Sequence, residues 1–173
     1  MKKSKGVNSA KRIAFAGVMG ATLVASKFAL SFVPNVEVVT TLLVSFSFVF
    51  GFDGVVASLI FCTADVIIYP PSIDVIVSYY VYFNGLAILV AVLKELGVKN
   101  NLTYYILSVV STAIFGVITS LFYSLFFGTP FIAIYLSGIV YYAIHVVSTA
   151  VFMFVGFKPV TNVLTKIKSR ANL

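Results

Sequence analysis

The sequence predicts an all-α integral membrane protein: a compact bundle of six transmembrane helices with short loops and both termini cytoplasmic. Three observations predict it. First, 61% of the 173 residues are apolar and only 10% are charged, with mean hydropathy +1.10, whereas soluble domains are about 45–50% apolar and about 25% charged. A soluble fold of this size could neither bury that much apolar surface nor stay dispersed with so little charge. Second, the apolar residues fall into six stretches, and a span needs about 20 residues, so residues 1–173 are expected to form a single six-span domain. Third, eleven of the twelve basic residues sit in three places: the N-terminal tail (Lys2, Lys3, Lys5, Lys11, Arg12), the Lys94–Lys99 turn, and the C-terminal end (Lys158, Lys166, Lys168, Arg170). Flanking basic residues stay on the cytoplasmic side, and six crossings bring all three groups to one side. The same numbers exclude disorder, coiled coil, collagen and a disulfide scaffold. The net charge of +7 is distributed for a membrane surface rather than for nucleic acid.

Taken in order, span 1 covers about Arg12 to Val33, after a basic tail over about residues 1–11, and stops at Pro34. Its apolar run from Ile13 is too long for the core of a signal peptide, so a retained span is expected. Span 2 is short, about Val36 to Phe50, and closes on Gly51-Phe52-Asp53-Gly54. Span 3 runs from about Val55 to Tyr69 and stops at Pro70-Pro71, which cannot continue a helix. Span 4 covers about Ile73 to Leu93 and ends in the polar turn Lys94 to Asn101. Span 5 runs from about Leu102 to Phe127 and breaks at Gly128-Thr129-Pro130. Span 6 covers about Phe131 to Phe157, and a basic tail over 158–173 follows. Span 2, at about 22 Å for 15 residues, is shorter than the roughly 30 Å hydrocarbon core, so spans 2 and 3 are expected to be short, tilted or covered by neighbours.

Polar residues inside spans face protein, water or ligand, and isolated hydroxyls often only cement helix contacts. Here they recur at helical spacing: Glu37, Thr41 and Ser45; Ser58, Cys62, Asp65 and Tyr69; Ser108, Thr112, Gly116, Thr119 and Tyr123; Tyr135, Gly138, Tyr142, His145 and Thr149. These stripes predict a semi-polar bundle interior. Glu37, Asp65, Tyr69, Asp74, Tyr79, Tyr80, Tyr123 and Tyr135 would all lie in the outer half or outer loops. With Asn84 at the floor, that set suits a pocket for an organic ligand, although an interfacial aromatic belt accounts for some of the tyrosines without one. Lys27, the one basic residue within a span, either snorkels, pairs with Glu37 or Asp65, or meets an anionic or amide-bearing ligand. His145 has a packing reading beside a ligand-binding one. One histidine and one cysteine on different helices make no metal site, and no cofactor is expected. Gly17, Ala21 and Ala25 form small-xxx-small steps, which serve either packing within the bundle or docking of a separate membrane subunit.

No Gly-x-x-x-x-Gly-Lys-Ser/Thr occurs, so the chain itself is not expected to be an ATPase. His-Glu-x-x-His, Gly-x-Ser-x-Gly and paired intramembrane carboxylates at i, i+3/4 spacing are also absent, which speaks against a membrane protease or phosphatase. The two halves show no duplication of the kind found in inverted-repeat transporters.

At this point the chain resembles the substrate-binding S-components of energy-coupling factor (ECF) vitamin transporters. The resemblance rests on its size and six-span pattern, the basic N-terminal tail, the Gly17, Ala21, Ala25 spacing, and the segment Pro34-Asn35-Val36-Glu37-Val38-Val39-Thr40-Thr41-Leu42-Leu43 followed by Phe48-Val49-Phe50-Gly51. It implies a protein of the cell membrane that captures a vitamin from outside and releases it inside by toppling on a transmembrane scaffold subunit driven by two ATPase subunits. It places ligand between the outer loops and the outer halves of the later helices. That maps onto the Asn35–Glu37 and Pro70–Asp74 loops, the span 4 aromatics and the outer ends of spans 5 and 6; taken with the polar residues inside the spans, the candidate site is Lys27, Asn35, Glu37, Asp65, Asp74, Tyr79, Tyr80, Asn84, Tyr123, Tyr135, Tyr142 and His145, with Gly17, Ala21 and Ala25 facing the scaffold. The segment around Asn35 and Glu37 looks most like cobalamin-type or unassigned members. A stand-alone permease or channel and a structural membrane subunit remain as alternatives.

Overall fold

The structure, a computed structural model, describes residues 4–34 and 36–172. It is all-helical: α1 (Ser4–Ala29), α2 (Val39–Phe50), α3 (Phe52–Ile68), α4 (Ile73–Glu95), α5 (Asn101–Phe127) and α6 (Phe131–Ala171), with no strand among the described residues. Four helices, α1, α4, α5 and α6, are long and apolar enough to cross a membrane. Hydroxyls share the interior with an apolar core, and large apolar side chains cover the outside. Thr40, Thr41, Ser45, Ser58, Ser78, Ser108, Thr112 and Thr149 are buried, while Phe32, Phe154 and Ile67 are 88%, 80% and 75% exposed. Such an exterior is stable where the solvent is itself apolar, and several of the inward hydroxyls are satisfied by a carbonyl one turn back. Ser45 bonds the Thr41 carbonyl, Ser78 that of Asp74 and Ser108 that of Tyr104.

The bundle is organised around α2. This 12-residue helix buries ten of its residues and touches every other helix, while α1, α3, α4, α5 and α6 pack in succession around it. The ring is open between α1 and α6 except at one end, where the Lys11 Nζ donates to the Ala171 carbonyl at 3.3 Å. That end gathers the start of α1, the α2–α3 and α4–α5 connections and the end of α6. Arg12 forks onto Asp53, with Nη2–Oδ1 at 2.8 Å and Nε–Oδ2 at 2.9 Å. The turn from α2 into α3 uses Gly51 at φ +65°, a left-handed backbone that favours glycine. At the last turn of α2, Lys94 and Lys168 both donate to the Val49 carbonyl at 2.8 Å, satisfying an orphan helix-end acceptor with cations as the helix dipole favours.

The helices depart from their expected limits in three places. Helix α1 ends at Ala29 rather than Val33. Bonds from Leu30 to Lys27 and from Ser31 to Phe28 tighten the chain into successive turns ahead of Pro34, which disfavours helical backbone in the residue before it. Helix α2 starts at Val39 rather than Val36, because Glu37 turns its carboxylate onto Thr40. The third departure is a correction: residues 158–171 are not a tail but a continuation of α6, which runs through Pro159 to Ala171. A proline costs the helix one internal bond. Here Phe157 and Thr161 on either side are buried against the bundle, and Lys168 is anchored to α2. Lys5 and Lys11 likewise belong to α1, which is helical from Ser4, while Lys2 and Lys3 lie outside the described residues.

Candidate functional site

At the end of the bundle opposite the basic cluster lies a cavity of about 330 Å³ to which all six helices contribute. Its roof is the α1–α2 connection, with Leu30, Ser31, Val33, Pro34, Val36 and Glu37 turned towards it. Its walls are Lys27 of α1, Val39 of α2, Phe61 of α3, Tyr79 and Phe83 of α4, Phe115 of α5 and His145 of α6, and Tyr69 lies at the rim. The volume falls in the range of small-molecule sites.

Two pairs of ionisable side chains occupy different walls. On the α1–α3 side, the Lys27 Nζ donates to both carboxylate oxygens of buried Asp65, at 2.6 and 2.8 Å, and approaches the Tyr79 hydroxyl at 3.4 Å. Its ammonium also stands over the Tyr79 ring, 4.7 Å from the centroid, a cation–π geometry. On the α6 side, His145 Nε2 is 2.8 Å from Glu37 Oε1. The Thr40 hydroxyl donates to the same oxygen at 2.6 Å, and the Thr40 backbone N–H reaches Oε2 at 3.3 Å. From Thr40 a buried hydroxyl chain descends into the core, to Tyr82 at 3.2 Å, Thr112 at 3.1 Å and Thr149 at 3.3 Å. Between the two pairs lies an aromatic wall. Phe83 meets Phe61 and Tyr79 edge to face, at 5.1 and 5.3 Å, and the His145 ring stands edge to face against Phe115 at 5.2 Å. The arrangement can enclose a flat apolar body and orient it by polar groups at its ends.

Of the residues expected at a ligand site, Lys27, Glu37, Tyr79 and His145 line the cavity, and Asp65 holds Lys27 from behind. The others lie elsewhere. The Tyr80 hydroxyl bonds Thr63 at 2.8 Å on the outer side of the α3–α4 seam, and the Asn84 amide donates to the Tyr80 carbonyl at 2.8 Å. Asp74 is buried in the first turn of α4 away from the cavity, its Oδ1 without a hydrogen-bond partner among the described residues. Tyr123 is exposed and packs on Phe127, while Tyr135 stacks on Phe131 and Tyr142. Tyr142 fills the α5–α6 seam against Gly116 and Gly138, its hydroxyl 3.0 Å from that of Ser120. The expected convergence of Asp74, Asn84 and Tyr135 on Glu37 and Tyr79 is therefore not found. Asn35 lies outside the described residues. Sequence reasoning missed Phe61, Phe83 and Phe115; the signal available was spacing, since Phe61 precedes Asp65, and Phe83 follows Tyr79, by one helical turn.

The small residues of α1 divide between two faces. Gly20 carries the internal contact, since a Cβ there would lie 2.6 Å from Ile60 Cγ2. Gly17 has open space beside it, and Ala21 and Ala25 are exposed. This second face does not serve packing within the bundle. Comparison with protein-family models, curated proteins and solved structures gives no match, so the functional reading rests on this geometry and on the sequence.

Proposed function

We propose that the chain is the substrate-capture subunit of an ATP-driven importer of the ECF type, taking up a small vitamin-like molecule through the cavity between Lys27, Glu37, Tyr79 and His145. In this reading all six helices cross the cell membrane, and both termini and the basic clusters face the cytoplasm. The observation that carries it is the position of the cavity: it opens at the end without basic clusters, roofed by a connecting segment, while the core towards the basic end is filled by side chains such as Leu43, Phe46, Phe61 and Leu86. A site open at one end and plugged at the other supports capture and hand-over rather than free passage. The resemblance of the Pro34–Leu43 segment supports the ECF assignment, and so does the unoccupied face of Gly17, Ala21 and Ala25, on which a scaffold helix could pack closely. The cavity volume supports a ligand much smaller than the corrinoid that the resemblance implied. Hydrolysis of ATP is assigned to partner subunits.

The test pairs binding with uptake. Ala21→Leu and Ala25→Leu should abolish ligand uptake and co-purification with an ATPase pair, while small molecules retained by the purified chain, identified by mass spectrometry, stay unchanged. Uptake that persists without any ATPase partner would overturn the proposal in favour of a stand-alone permease.

A further inference from the structure

From the hydrogen-bonding capacity left open in the cavity, we infer that its ligand is a compact, flat molecule that donates a hydrogen bond to Glu37 and carries no carboxylate or phosphate. This inference rests on reading the cavity as a capture site, and it narrows the substrate class of that site.

The cation in the wall looks at first like an anion receptor. An ammonium has three N–H donors, and those of Lys27 are matched by three acceptors: Asp65 Oδ1 at 2.6 Å, Asp65 Oδ2 at 2.8 Å and the Tyr79 hydroxyl at 3.4 Å. An anionic ligand would have either to take the place of the long Tyr79 contact or to displace Asp65, and the second leaves a buried carboxylate uncompensated, which costs far more than an exposed ion pair returns. Glu37 is the reverse case. A carboxylate has about four acceptor positions. His145 and the Thr40 hydroxyl share Oε1, whereas Oε2 receives only the long 3.3 Å contact from the Thr40 N–H among the described residues. On the Glu37 carboxylate the capacity left open towards the cavity is therefore that of an acceptor. A second carboxylate or a phosphate brought beside it would meet like charge in a medium of low dielectric. A neutral N–H or O–H, or a cationic nitrogen, would complete its shell. The rest of the lining is largely apolar and aromatic, with Phe61, Phe83 and Phe115 packed into one continuous wall against which a ring system can lie.

Three probes with one indole body and different ends test this on the purified full-length chain: tryptamine (cationic), tryptophol (neutral donor) and indole-3-acetate (anionic). Calorimetric titration should show tryptamine and tryptophol binding at least tenfold more tightly than indole-3-acetate, a difference of about 1.4 kcal/mol or more. Glu37→Gln should weaken tryptamine more than tryptophol. If Glu37→Gln does not fold, the three wild-type affinities decide alone. Tightest binding of indole-3-acetate, or no saturable binding by any of the three, overturns the inference. The first of these outcomes leaves the capture reading intact, because an anion would then simply be the captured class. Conversely, loss of ATPase-dependent uptake with the probe ranking preserved would sink the importer and not the inference.

Discussion

Lys27 and Asp65 are 38 positions apart in sequence, yet their side chains meet at 2.6 Å with Asp65 almost wholly enclosed. Removing one member strands the other. Asp65→Asn should destabilise the fold by about 3 kcal/mol or somewhat less, since breaking a buried pair costs about 3–5 kcal/mol and Lys27 keeps 30% of its side chain open. The double variant Lys27→Met, Asp65→Leu should recover most of that loss, read as melting temperature in detergent. A double variant no better than Asp65→Asn would show that the partners act independently. At this scale the sequence was partly legible. Pairing was one of the options for Lys27, and Glu37, Tyr79 and His145 stood out because an ionisable or phenolic group inside an apolar span needs a reason to be there. Tyr80 and Asn84 went astray through helical rotation. Each lies one residue beyond Tyr79 or Phe83, and a step of about 100° turns it from the cavity to the α3–α4 seam. Tyr135 went astray by distance, since ten residues separate it from His145, about 15 Å along α6.

The limits of the helices were legible wherever proline or glycine marks the chain, as at Pro70-Pro71 and Gly128-Thr129-Pro130. They were not legible where tertiary contacts override the mark. Pro159 interrupts α6 on paper, but the helix continues because Lys168, nine residues on, is bound to the Val49 carbonyl of α2. The small residues of α1 show the same gap, because their spacing cannot tell an inward face from an outward one. The structure separates them, and a matched pair of variants tests the separation. Gly20→Val should force α1 away from α3, since the added Cβ would meet Ile60 Cβ and Cγ2 at 2.8 and 2.6 Å; overpacking of this kind costs about 1–3 kcal/mol. Gly17→Val adds the same atoms into open space and should leave the melting temperature unchanged or slightly raised, because glycine within a helix is itself unfavourable. Equal losses for the two would mean that the outward face is packed after all.

For the molecule as a whole, the open question is how a helix as short as α2 belongs to a membrane-spanning bundle. At about 18 Å for 12 residues it is too short to face lipid across a core of roughly 30 Å. It does not face lipid. Ten of its residues are buried, the surrounding helices cover all of it but the seam between α1 and α6, and both ends are held, by Thr40 to Glu37 at one and by Lys94 and Lys168 on Val49 at the other. A helix sheathed in protein feels no hydrophobic mismatch, so its length is set by the cavity above it and the Gly51 turn below it rather than by the bilayer. The Phe52–Asp53 turn, tied to Arg12, should then reach the same aqueous side as both chain ends. Single cysteines placed in a Cys62→Ser background read this directly. Phe52→Cys, at a partly exposed position, and Ser169→Cys should react with a membrane-impermeant thiol reagent only after the cytoplasmic face is opened. Ser72→Cys, in the loop between α3 and α4, should react in intact cells. Labelling of Phe52→Cys from outside would make α2 and α3 a re-entrant pair. The bundle would then have four crossings, formed by the four long helices alone.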